Sequence, residues 1–408
     1  MSSNSFALDL SALAYPMMKS RRAQSNYRFS ARMDAPVDPS ALHQALESVV
    51  PNYPNLNAKI VAGFFWHKYK QNDAPLVVKE DDRPPLTPFR KEDANGYPFR
   101  LAYKGDEIIL EVFHAATDGD VAALFLSDLL TRYVEIKEKV SVSQVVDRGL
   151  LLEDAFVQNA RKKSLFDVSI RNYNGTGSIA LGKRGNYRPY PTLLSQKIPV
   201  AELKASAKSW GATITEYIAA CYVTAISQDL ELPLRKPINL FVPVNLRRFF
   251  PSKTLFNFVC FERITLDKGE TDLSFAHVLE LVHKQFEEKI TQEKMQRRVD
   301  DVNLCFTLPI VKYFPLFIKK PCFKIVRKIT DKVRQTAILS NLGSVNLPES
   351  TAAHVAEIQL YLNIGKNAPL NCAVISFNGD CTINMTCGLK ETEIPARFFA
   401  LLKNQGKK

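Results

Sequence analysis

One histidine followed four residues later by Asp-Gly, in the hexapeptide His114-Ala-Ala-Thr-Asp118-Gly119, is the pattern in this sequence best suited to chemistry. A neutral imidazole near physiological pH takes a proton from a hydroxyl, amine or thiol. His114 closes an apolar stretch, EIILEVF at 107–113, and small residues follow it. A rigid strand would hold the ring while the loop leaves it accessible. Asp118 has two readings: it orients His114 directly, or it caps the loop and anchors it through an ion pair. Four residues of separation across a turn favour the second. Gly119 is expected to let the backbone turn sharply into the next element.

The elements that must position this loop follow from the hydrophobic pattern. Phe99 to Tyr103 and Glu107 to Phe113 read as a strand pair around Lys104-Gly105-Asp106. After Gly119, Val121, Leu124, Phe125, Asp128, Leu129 and Tyr133 recur at helical spacing, so the layout is strand, motif loop, helix. Upstream, Asn26 to Met33 reads as a strand and Asp38-Pro39-Ser40 opens a helix reaching about Val50. Lys59 to Tyr69 and Leu76 to Lys79 read as further strands. The stretch NYNGTGSIALGKRGNYRPYP at 172–191 is rich in Gly, Asn and Pro and reads as a crossover. Beyond it come a strand at Ser195 to Pro199, a helix over Ala201 to Trp210, and a strong helix in TITEYIAACYVTAISQDL with Thr213 or Thr215 as its cap. A strand INLFVPVNL, another from Phe258 to Ile264, and one long helix from Ser274 to Gln296 follow. The last strands are expected at Ala337 to Leu339, Val355 to Leu362, Asn371 to Phe377 and Cys381 to Cys387, with a closing helix over Pro395 to Leu402. The organisation expected is an N-terminal lobe over 1–165, a linker over 166–192 and a C-terminal lobe over 193–408.

His-x-x-x-Asp-Gly between a strand and a helix resembles the signature of the chloramphenicol acetyltransferase-like superfamily, which includes the plant BAHD acyltransferases, the alcohol acetyltransferases and nonribosomal peptide condensation domains. FVPVNLRRFFPSKTLFNF at 241–258 resembles that superfamily's Asn-x-Arg segment with a downstream Asn. ILSNLGSVNLP at 338–348 resembles its Ser-Asn-x-Gly strand. The three segments occur in family order, so the resemblance covers nearly the whole chain. It implies an α/β fold of two lobes, each a mixed sheet flanked by helices, with the active-site channel between them.

The resemblance also implies roles. His114 would be the general base, and Asp118 would pair with an Arg from the other lobe, here Arg247, with Arg248 as the fallback. Asn257 would support the site. Ser340 and Asn341 would line the channel or stabilise an oxyanion, although Asn-Leu-Gly also suits turn chemistry at a strand end. Phe113 stands where condensation domains carry a second histidine, which weakens a carrier-protein role. The Asp-Phe-Gly-Trp-Gly motif of the plant enzymes is absent, because only Trp66 and Trp210 are present. The alcohol acetyltransferase-like branch is the match that remains.

The activity implied is transfer of an acyl group, acetyl in the simplest case, from acyl-CoA to a hydroxyl acceptor in a ternary complex. It needs no covalent intermediate, metal or permanently bound cofactor. The alternatives are a condensation-type enzyme fed by a phosphopantetheinyl acyl carrier protein, and a non-catalytic binding protein of the same fold.

Composition is compatible with this reading and excludes others. The 408 residues carry a net charge of +12, which favours anionic partners such as nucleotide phosphates or an acidic carrier protein. Lys and Arg spread through both halves, densest at Lys183 to Arg188 and Lys319 to Arg334, and no nucleic-acid motif organises them. Seven cysteines without a Cys-x-x-Cys pair argue against a disulfide framework or a zinc ribbon. No Gly-x-Ser-x-Gly or His-Glu-x-x-His occurs, and Gly175 and Gly177 are not set between a strand and a helix. His43, His67, His277, His283 and His354 lack ligand spacing. No apolar run spans a bilayer, and the start lacks a signal-peptide pattern, so a cytoplasmic protein is expected. The segment at 307–334 mixes aromatics with Lys and Arg. It suits helices with a solvated basic face, or a basic apolar surface for an anionic cofactor, a carrier protein or a peripheral membrane contact.

Overall fold

The computed structural model describes residues 5–19, 25–140, 149–161, 177–182, 185–228, 230–330, 335–365 and 368–404, with the backbone alone over 324–330. Residues 166–176 and 183–184 of the expected linker, and 331–334 of the second basic group, lie outside these.

The first half contributes β1 (Ser5–Ala7), β2 (Asn26–Met33), β3 (Ala58–Ala62), β4 (His67–Gln71), β5 (Val78–Glu80), β6 (Phe99–Lys104) and β7 (Glu107–Phe113). The second contributes β8 (Tyr187–Pro199), β9 (Ile238–Asn245), β10 (Val259–Leu266), β11 (Ala337–Ser344), β12 (Val355–Leu362), β13 (Leu370–Phe377) and β14 (Asp380–Leu389). They form a five-stranded sheet in the order β12-β2-β7-β6-β5, a six-stranded sheet in the order β10-β9-β11-β13-β14-β8, and a small β1-β4-β3 sheet. The two large sheets are flanked by helices, giving two α/β lobes. Chain order does not partition the sheets. β12, deep in the second half, runs antiparallel to β2 with Ile358 opposite Ala31.

The first lobe's core shows why β7 sits in one register. Ile108, Leu110 and Val112 face the helices Pro39–Val49 and Gly119–Lys137, which supply Leu42, Leu46, Phe125 and Leu129. Glu111, on the opposite face, meets Arg28 and Arg100 in a buried charge cluster completed by Asp81. A slip of one residue would drive Glu111 into the core, so burial and charge together specify the pairing that aims His114. Truncating a fully buried side chain here, such as Leu129→Ala, would cost about 2–5 kcal/mol.

Three local expectations change. Lys59 to Tyr69 is not one strand but the antiparallel hairpin β3–β4, because Gly63–Trp66 folds into a tight turn. A Cβ on Gly63 would lie 2.6 Å from the Trp66 carbonyl oxygen, so only glycine fits. The expected long helix at 274–296 breaks into Phe275–Lys289 and Gln292–Thr307, where the Thr291 hydroxyl caps the second by accepting from Lys294 N. The strand expected at Ser195 to Pro199 begins earlier, at Tyr187, because the whole run pairs with β14.

Candidate functional site

The loop between β7 and the helix Gly119–Lys137 is held by its carbonyl groups. The Tyr69 hydroxyl donates to the carbonyls of Ala115 (2.9 Å) and Ala116 (3.0 Å). The Tyr27 hydroxyl donates to those of Thr117 (3.0 Å) and Asp118 (2.9 Å). Asn55 Nδ2 bridges Ala116 O and Leu255 O, and Thr117 Oγ1 donates to Leu255 O at 2.8 Å. Every carbonyl from Ala115 to Asp118 thus has a buried donor. A short irregular loop can stay inside a core only when its polar backbone is satisfied in this way.

His114 is half-buried at the start of this loop, its backbone N–H donating to Ser25 O at 2.7 Å. Tyr15 stacks on the imidazole, centroid to centroid 4.7 Å, and Tyr27 meets it edge-on at 5.1 Å. Nδ1 lies 2.9 Å from Asn257 Oδ1. The other end of that amide, Nδ2, donates to Asp9 Oδ2 at 3.3 Å. Asp9 is fully buried, and its Oδ1 also accepts from Ser11 Oγ and Ala12 N.

This chain of groups assigns a tautomer. With Asp9 ionised, its Oδ2 is an acceptor, so the Asn257 amine faces it and the amide oxygen faces His114. An amide oxygen only accepts, so the ring proton sits on Nδ1 and Nε2 keeps a free lone pair. Burial lowers the His114 pKa below its ordinary 6.5, while its backbone bond, the Asp118 charge and Asn257 pull it back up. Burial and the nearby Asp154 carboxylate raise Asp9 to about 7, against its bonds from Ser11, Ala12 and Asn257.

Asp118 turns away from the imidazole to the lobe junction. Its Oδ2 receives Arg247 Nη1 at 2.6 Å and Phe258 N at 2.8 Å, and its Oδ1 caps the following helix through Val121 N. It has no solvent exposure. Arg247 is fixed in turn: Nη2 donates to the carbonyls of Thr254 and Phe256. Arg248, the fallback, is exposed. The pair joins the end of β7 to the turn after β9, and Asn245 Nδ2 adds a second junction contact to Asp120 Oδ2 at 2.8 Å. Burial and the Asp118 charge raise Asp120 to about 6, opposed by Arg247, Arg248 and Asn245.

Gly119 departs from its expected role. Its φ is not left-handed; what it supplies is space, since a Cβ there would stand 3.1 Å from Leu342 Cδ1 of the other lobe. Ser340 and Asn341 lie on β11, two and one residues before Leu342. Asn341 Nδ2 donates to Thr215 Oγ1 at 2.9 Å, and its Oδ1 accepts from Gly343 N across a bulge in the β11–β13 pairing. Among the described residues neither Ser340 nor Asn341 hydrogen-bonds to His114. Asp9, Tyr15, Tyr27 and Tyr69 have no motif signal in the sequence, yet they surround the imidazole loop.

Comparison with known proteins finds three kinds of result. A model of a family described as alcohol acetyltransferase matches residues 192–405. No curated protein sequence matches. Solved structures match over nearly the whole chain at low identity. The first condensation domain of the calcium-dependent antibiotic synthetase, in complex with a substrate analogue, has a TM-score of 0.68 at 14% identity, covering 100% of this chain and 96% of that one. TRI3 trichothecene 15-O-acetyltransferase from Fusarium sporotrichioides has a TM-score of 0.64 at 13% identity, covering 98% and 94%. Polyketide synthase associated protein 5 from Mycobacterium tuberculosis has a TM-score of 0.60 at 14% identity, covering 94% of each chain. At these identities the likeness is one of fold: the two-lobed fold of condensation domains and acyltransferases.

Proposed function

The chain belongs to the alcohol acetyltransferase family, and from that premise we propose that it moves an acyl group, acetyl in the simplest case, from acyl-CoA to a hydroxyl acceptor, with His114 as the general base. The observation that carries this reading is the run Asp9–Asn257–His114, which leaves Nε2 deprotonated and able to accept. A lowered pKa keeps the imidazole neutral at neutral pH, the state a base must have before the reaction.

In the reaction, His114 Nε2 takes the acceptor's hydroxyl proton as its oxygen attacks the thioester carbonyl. The new C–O bond gives a tetrahedral oxyanion. Its collapse breaks the C–S bond, and the proton on Nε2 passes to the departing CoA sulfur, so the enzyme returns to its starting state. Both substrates are held together, and no side chain is acylated. Ser340 is the hydroxyl donor we assign to the oxyanion, since Asn341 is engaged with Thr215 and Gly343. The roles of Asp118 and Arg247 are structural: they fix the His114 loop to the other lobe.

The test is a donor and base comparison. Purified enzyme is incubated with an alcohol panel and either acetyl-CoA or an acetyl-loaded carrier protein, and ester formation is followed by mass spectrometry. Ester from acetyl-CoA, lost in His114→Ala, is expected. Full turnover by His114→Ala overturns the base assignment, and turnover from the carrier alone moves the protein to condensation chemistry.

A further inference from the structure

Among the described residues, six of the thirteen exposed large hydrophobic side chains gather on one face instead of scattering. Phe64 and Phe65 come from the β3–β4 turn, Ile310 and Phe317 from the nearby helices Pro309–Lys312 and Leu316–Thr330, and Tyr313 and Phe314 from the bend between those helices. Four are wide open to solvent: Ile310 at 74%, Phe317 at 69%, Phe64 at 67% and Tyr313 at 58%. The two sources form one surface. Phe64 and Phe65 meet edge-on at 4.8 Å, Phe65 meets Tyr313 at 5.9 Å, and Leu316 N donates to Phe64 O at 2.8 Å. Lys319 braces the surface from beneath. Its Nζ lies 3.3 Å over the Trp66 ring and donates to the carbonyls of Phe65 and Lys312.

A contiguous apolar face of this kind marks a partner, because a solvated protein gains nothing by holding six large apolar groups in water. The charge around it says which. Besides the buried Lys319, the two segments that build it, 58–71 and 309–323, contain Lys59, Lys68, Lys70, Lys312 and Lys320 and not one Asp or Glu. Aromatic and aliphatic tips set in a field of lysines suit the boundary of a bilayer, where the rings enter the acyl region and the ammonium groups stay with anionic headgroups. A second copy of the chain fits poorly, since a twofold interface would set each lysine-rich face against itself. No helix among the described residues is long and apolar enough to cross a membrane, so the contact is a seat on one leaflet.

We propose that the face formed by Phe64, Phe65, Ile310, Tyr313, Phe314 and Phe317 seats the protein on a membrane surface bearing anionic lipid. This inference does not depend on the proposed reaction.

The experiment is flotation of the full-length protein with vesicles of phosphatidylcholine alone or containing phosphatidylserine. Flotation with the phosphatidylserine vesicles is expected, falling with added salt and in Lys312→Glu. The double variant Phe64→Ser/Phe317→Ser should lower vesicle affinity roughly tenfold or more, with its melting temperature unchanged. If that variant melts early, Ile310→Ser, at the most exposed of the six positions, is read in its place. Absence of flotation with either vesicle overturns the proposal. So does flotation that the apolar substitutions leave unchanged, or a self-association that they abolish without any vesicle binding.

Discussion

The carboxamide oxygen of Asn257 lies 2.9 Å from Nδ1 of His114, joining two residues 143 positions apart. Because that oxygen only accepts, the contact determines which imidazole nitrogen keeps its lone pair. Replacing His114 with Ala should lower kcat by about 10²–10⁴-fold, with the melting temperature little changed. Asn257→Ala, which frees the ring to exchange tautomers, should cost about 10²-fold with KM for the donor barely altered. Steady-state kinetics of both variants check this, and full activity in Asn257→Ala would remove the orienting role.

The pH profile follows from the direction of the His114 shift. The base acts when neutral, and its pKa lies below 6.5, so protonation of the ring itself should cost activity only as pH drops through that lowered value. In Asp9→Asn, where the titration of Asp9 is removed, what activity remains should be flat through neutral pH. The acid limb of kcat/KM measured from about pH 4 to about pH 9 reads this directly. A limb centred above the ordinary histidine range would contradict the buried setting.

Asp9 makes a separate, linked prediction. Its pKa is raised from 3.8 to about 7, so the folded state binds this proton more tightly than the unfolded chain. Its contribution to stability is therefore full below 3.8 and is lost as pH rises towards and through about 7. Asp9→Asn should flatten that decline, seen by denaturant unfolding at about pH 5 and about pH 8. The same substitution presents an amine to Asn257, which would turn the amide and reverse the His114 tautomer. Nitrogen NMR of the imidazole should report the reversal together with a loss of kcat.

Arg247 and Arg248 are neighbours with opposite surroundings. Arg247→Ala leaves Asp118 buried and without its ion-pair partner, a loss of about 3–5 kcal/mol that chemical denaturation would measure. Arg248 is exposed, and Arg248→Ala should stay within about 0.5 kcal/mol of the parent. Equal effects of the two substitutions would mean that the pair does not hold the lobes.

The net charge of +12 bears on an anionic donor. Screening shrinks from about 10 Å at 0.1 M salt to about 3 Å at 1 M. The apparent KM for acyl-CoA should therefore rise with salt, while that for a neutral alcohol stays nearly constant. Equal salt sensitivity of the two constants would count against electrostatic steering of the donor.

What the sequence determined by itself is what short-range pattern can carry. The strand, loop and helix around His114 are written in one contiguous stretch, because alternation and helical spacing are local properties of the chain. The cap at Asp38 was legible for the same reason, its side chain reaching only to Ser40 N and Ala41 N. Tertiary structure decided what depends on distant partners. Asp9 sits in an N-terminal segment with no periodic signal, and its bond to Asn257 spans 248 positions. The choice of Arg247 over Arg248 rests on the short turn Leu246–Arg248 after β9, which sends adjacent side chains in different directions. β12 reads as an apolar strand in any sheet, and only pairing with β2 places it in the lobe that holds His114. Strand period encodes which face is buried, not which neighbour is chosen, and the neighbour is settled when the whole core closes.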